Sequence, residues 1–61
     1  MITAERKQEI WKMGETDAID DYQIGQVHLL DIRELNPEDV GLTTLEELQI
    51  YVDGYNSYIN E

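Results

Sequence analysis

Cysteine is absent from these 61 residues, which excludes disulfides, thiolate-held metals and a thiol nucleophile. Its absence also fits a cytosolic setting. Histidine and serine occur once each, as His28 and Ser57, so a Ser-His nucleophile pair has one weak option and a Cys-His pair has none. Carboxylates are abundant, but paired carboxylates do glycosidase work only across a cleft, which a domain this small can hardly build. The chain therefore reads as non-catalytic. No apolar run approaches the roughly 18 residues of a membrane span, and MITAERKQEIW lacks the apolar core of a signal peptide. The expectation is a cytoplasmic protein with neither.

Cations are nearly as scarce. Arg6, Lys7, Lys12 and Arg33 stand against fourteen acids, for a net charge of −10. Between Met13 and Glu61 there are twelve carboxylates and one cation, Arg33. A face short of Lys and Arg does not bind nucleic acid directly, nor an anionic lipid surface. Self-repulsion of this size opposes a compact state. A chain of this length buries only about 60% of its unfolded surface, and ordering it costs about 1.5 kcal/mol per residue. Stability must come from helix packing, self-association or a partner. The 41% apolar content and the regular spacing of the last third argue against disorder throughout.

That last third holds the clearest element. Thr43 and Thr44 are followed three residues later by Glu46 and Glu47, two overlapping capping boxes whose acids also suit the positive end of a helix dipole. Apolar residues then fall at 45, 48, 52, 55 and 59. Leu45, Leu48, Tyr51, Val52, Tyr55, Tyr58 and Ile59 share one arc, predicting an amphipathic helix from about Thr44 to Asn60. Ile50 points away from that arc, among Glu46, Glu47 and Ser57. It reads as a single exposed apolar residue or as a contact on a partner-facing acidic side. Gly54, mid-helix, costs about 1 kcal/mol relative to alanine, unless it admits another backbone.

A first helix is expected from Thr3, as N-cap, to Met13, with Gly14 as its stop. Ala4, Lys7, Ile10 and Trp11 share its inner face. Thr16 then caps a short helix over Asp17–Ile24, with Ile19 and Tyr22 facing inward, until Gly25 interrupts. The string QVHLLDIREL, from Gln26 to Leu35, fits either a helix or a short buried strand around 26–32; its Leu, Arg, Glu and Gln lean towards helix. Asn36, Pro37, Glu38 and Asp39 read as the cap and acidic first turn of one helical turn, closed by Gly41. The fold class is thus mainly α: one domain over 1–61 with about three helices.

Metal chemistry finds little support. Asp20 to Asp31 has Gly25 and Asp31 at calcium-loop positions 6 and 12, but Tyr22 and Ile24 occupy positions that need carboxylates. Asp17, Asp20 and Asp21 form a D-x-x-D-D cluster of a kind that chance supplies in so acidic a chain. His28 and Asp31 could be half a site, against the plainer reading of a partly buried histidine bonded to a carboxylate. No metal or cofactor is expected.

The acidic surface remains. Duplex DNA presents one negative charge per about 1.7 Å of axis, and fixed Asp and Glu can imitate that array in a basic groove, with steering from complementary potentials. In size and charge alone the chain resembles the small acidic DNA-mimic inhibitors encoded by phages and mobile elements. That resemblance implies a basic, nucleic-acid-binding protein as partner, in the host cytoplasm for a phage product. The contacts would be Asp17, Asp20, Asp21, Glu38, Asp39, Glu46, Glu47 and Asp53. The acids could instead form a solvated face or reflect a high-salt host. The alternative function is a structural or adaptor module that homodimerises, or docks on a partner helix, through Ile50, Tyr51, Tyr55 and Tyr58.

Overall fold

The computed structural model describes residues 2–60, and 71% of the fold is helical. Two α-helices carry it: α1, Ala4–Gln23, and α2, Leu45–Ile59. Between them lie an irregular stretch and two short 3-10 turns, Ile32–Glu34 and Pro37–Val40. The mainly α expectation holds, but three helices become two.

The missing boundary is Gly14. A glycine stops a helix by taking a left-handed conformation, and among the described residues only Gly25 and Gly41 have positive φ. Gly14 stays helical inside α1 and is buried, so the helices expected over Thr3–Met13 and Asp17–Ile24 are one. Thr3 caps it, its hydroxyl accepting the Arg6 N–H at 3.1 Å. Thr16, expected as a second cap, is an interior residue. The real stop is Gly25, at φ +73°. The Gln26 N–H donates to the Asp21 carbonyl at 2.9 Å and the Gly25 N–H to the Tyr22 carbonyl at 3.1 Å, the paired bonds of a Schellman ending.

Gly14 is needed for packing. A methyl group there would strike the Tyr51 carbonyl and come within 2.9 Å of the Tyr55 amide. A methyl at Gly54 would strike the Trp11 carbonyl in the same way. The two glycines thus let two helix backbones touch, each receiving the other chain. Contacts advance together along both helices: Arg6 meets Glu47, Asp17 meets Tyr51, Asp21 meets Tyr55 and Tyr22 meets Tyr58. α1 and α2 therefore run in the same direction, and the chain must travel back between them.

The return segment is neither helix nor strand. Residues 26–31 have no regular secondary structure and no strand pairing among the described residues, because the segment lies on the helices without a neighbouring strand. Asn56 substitutes for one. Its side-chain oxygen accepts the Leu30 N–H at 2.8 Å, and its amide donates to the Leu30 carbonyl at 3.0 Å. The Pro37 turn forms as its residues predict: the Asn36 N–H donates to the Asp39 carboxylate at 3.2 Å, and Gly41 closes it at φ +76°.

α2 begins with both threonines in use. Thr44 Oγ1 accepts the Glu47 N–H at 3.2 Å, while Glu47 Oε1 accepts from the Thr43 N–H at 3.1 Å and hydroxyl at 2.8 Å. The core holds Ile10, Leu42, Leu48, Tyr51 and Val52, with Met13, Leu30, Ile32, Leu35, Val40 and Ile50 packed around it. Ile10 and Leu48 are fully buried, each contributing about 1.5–3 kcal/mol. Several face assignments change: of the four residues expected on the inner face of the first helix only Ile10 is buried, while Ala4, Lys7 and Trp11 are exposed because the contact line with α2 is narrow. Leu45 is 66% exposed and Tyr22 64% exposed, since both sit at helix ends beyond the crossing. Ile50 is half-buried against the core, so it is not a bare surface residue.

Candidate interaction surface

Where the acids sit is decided by the tyrosines. The Tyr51 hydroxyl donates to the Asp17 carboxylate, and the Tyr55 hydroxyl donates to Asp21 at 2.5 Å. Both rings are buried, at 4% and 2% exposure, so α1 offers each α2 phenol a carboxylate instead of water. Burial first, and then the facing carboxylates, push both phenols up, Tyr55 to about 12 and Tyr51 further. The backbone N–H of His28 lowers the Tyr55 value slightly. Asp17 and Asp21 are thereby fixed on the seam between the helices, with Asp20 exposed beside them.

The other expected contacts lie elsewhere. Glu46 is exposed at the start of α2, whereas Glu47 is half-buried and also accepts Arg6 Nε at 3.4 Å. The Thr43 hydroxyl and amide, and then Arg6, hold the Glu47 carboxyl below its usual range. Glu38 and Asp39 belong to the Pro37 turn. Asp53, exposed on α2, accepts the Gln49 amide at 2.8 Å. The eight carboxylates form separate groups, and Asp17, Asp20 and Asp21 are the group the fold concentrates. Of the apolar alternative, Tyr51 and Tyr55 are core residues, and Ile50 and Tyr58 are half-buried.

The concentrated group stands where both helices end. Tyr22 and Tyr58, one residue before each terminus, meet edge to face with ring centroids 6.2 Å apart. Each helix C-terminus carries about half a negative charge, and a cation in the last turn would offset it. Neither helix has a basic residue there. Two negative dipole ends and the last-turn aspartates Asp20 and Asp21 therefore add on one end of the molecule, with Asp17 one turn further in. Exposed apolar groups follow along the chain: Tyr22 and Ile24 (65% exposed) at the end of α1, and Leu29 (58% exposed) in the segment after it. Tyr22, Val27, Tyr58 and Ile59 line a cleft of about 370 Å³. Sequence reasoning missed Tyr22, Ile24 and Leu29 as surface, although Ile24 beside Gly25 could have suggested a helix end.

Metal-holding arrangements do not assemble. Among the described residues no three His, Asp or Glu side chains converge on a point that could hold an ion. His28 is exposed, with Nδ1 3.2 Å from the Gln26 carbonyl. Asp31 instead pairs with Arg33 at 2.9 Å, whose hydrogen bonds lower its pKa. The expected His28–carboxylate bond is thus replaced by two local ones. No helix among the described residues is long and apolar enough to cross a membrane. Comparison with protein-family models, curated proteins and solved structures finds no match to this chain.

Proposed function

We propose that this chain is a non-catalytic acidic interaction domain that binds a basic protein through the end where α1 and α2 stop. On this reading it occupies a site shaped for nucleic acid, as phage- and mobile-element-type inhibitors do. The observation that carries the reading is the uncompensated charge of that end. Asp20 and Asp21 lie in the last turn of α1, with Asp17 one turn further in, and there is no cation in either helix's last turn. Such a placement works against the stability of the free protein, and broken local rules of this kind collect at functional sites. Tyr22, Ile24 and Leu29 add the apolar contact that charge alone lacks. Aromatic side chains at interfaces serve in this way, and a tyrosine face also attracts an Arg or Lys of the partner.

The test is capture from a bacterial lysate on immobilised protein, with salt steps and competing duplex DNA. Asp20→Lys and Ile24→Lys are the comparison variants, because both residues are exposed and neither carries a core contact. A nucleic-acid-binding protein released by DNA, and lost in both variants, is the expected result. A partner that stays bound in both variants and ignores DNA would overturn the reading. Asp21 is unsuitable as a reversal site, since it accepts from Tyr55 and its loss perturbs the core.

A further inference from the structure

Both lysines of the chain line a single groove, away from the acidic end. Lys7, Gln8, Trp11 and Lys12 of α1 form one wall, and Ile50 and Asp53 of α2 form the other, around about 580 Å³. Neither lysine takes part in an ion pair among the described residues. Trp11 is the chain's one tryptophan and is 38% exposed. Its backbone is pressed against Gly54, so the indole projects from a fixed base. A large aromatic held in place at low ordering cost has the character of an interface anchor.

The walls differ in sign. On α1, Lys7 and Lys12 flank Trp11. On α2, Glu46 and Asp53 flank Ile50 at helical spacings of four and three. We infer that this groove is a self-association surface and that its occupant is a second copy of the chain. A two-fold axis running along the groove, parallel to the helices, lays the α1 wall of one copy on the α2 wall of the other. Lysines then meet carboxylates, and Trp11 meets Ile50 across the axis. An axis perpendicular to the helices would set lysine on lysine. Any other face of a chain of net charge −10 presents mostly acid to acid, which complementary pairing disfavours. The inference uses none of the residues of the proposed acidic site, so either can fail alone.

The test is sedimentation equilibrium combined with Trp11 fluorescence, from about 1 μM to about 1 mM protein, the range where weak dimers form. Mass should double while Trp11 emission moves to the blue and becomes protected from iodide. Lys12→Glu and Asp53→Lys should each weaken association about tenfold or more, since like charges then face one another twice per dimer. An equimolar mixture of the two variants should recover it, because both facing pairs become opposite in sign. Circular dichroism confirms that each variant keeps its helices. A monomer at the highest concentration overturns the inference. So does a dimer whose Trp11 emission is unchanged, or a mixture no tighter than the separate variants.

Discussion

The two helices touch along much of their length and obey different rules. α2 buries Leu48, Tyr51, Val52, Gly54 and Tyr55, and its Glu46 and Glu47 stand at the dipole end that favours acids. α1 buries only Ile10, Gly14 and Ala18. Its cations Arg6, Lys7 and Lys12 lie in the first half and Asp17, Asp20 and Asp21 in the second, the reverse of what its dipole favours. α2 is organised around the core. α1 contributes a thin line of contact and spends the rest of its surface on charge placed at a cost in stability. The difference teaches that α1 is the helix to examine for function and α2 the one to examine for folding.

The largest effect should come from the one place where the helices depend on each other equally. Gly14→Ala or Gly54→Ala sets a methyl against a backbone carbonyl, which cannot move aside as a side chain can. Overpacking costs about 1–3 kcal/mol and sometimes more, and a domain of this size has little reserve. Chemical denaturation should show a loss of about 3 kcal/mol or more, with the same outcome from either helix.

Next come the phenol–carboxylate bonds that tie α1's acids to α2. Tyr51→Phe or Tyr55→Phe removes a hydrogen bond to a charged group, worth about 1.5–3 kcal/mol, read as a shift in denaturation midpoint. The same bonds set an alkaline limit. Both phenols ionise later in the folded protein than in the unfolded chain, Tyr55 at about 12. Their contribution is therefore fully present below the ordinary tyrosine value of 10.0 and lost as pH rises from there through about 12. Stability against pH, followed by circular dichroism, should fall over that window, and less steeply in the double Phe variant. A smaller effect belongs to α2's cap. Thr44→Ala should cost about 1 kcal/mol, while a change at Thr16, inside α1, has no cap to lose.

Much of α2 was legible because its signals are local: the Thr43-Thr44-Glu46-Glu47 run and the spacing of Leu48, Val52 and Tyr55. α1 was misread at Gly14, where the same residue that ends helices in isolation is demanded by Tyr51's backbone, a contact 37 positions away in sequence. The stretch from Gln26 to Leu35 was ambiguous for a related reason. Its irregular part is held at Leu30 by Asn56, 26 residues later, and no periodicity reports that. At the site, the acids were visible as composition. Which of them are tied down was not, because the tyrosines that hold Asp17 and Asp21 arrive from the other helix. Trp11 and Lys7 were assigned together to α1's inner face, but their groove exists only once Ile50 and Asp53 stand opposite.

The smallest energetic change bears most directly on the central claim, that α1's second half gives up stability to present charge. Asp20→Lys replaces an unfavourable charge at a helix C-terminus by a favourable one, worth about 0.3–1 kcal/mol. The decisive measurement is the thermal midpoint of this variant at low salt, taken together with its capture of the proposed basic partner. The account predicts a protein that melts a few degrees higher, in line with about 4–8 °C per kcal/mol for a domain of this size, and no longer holds the partner. A variant that melts at or below the parent temperature and binds as the parent does would contradict it.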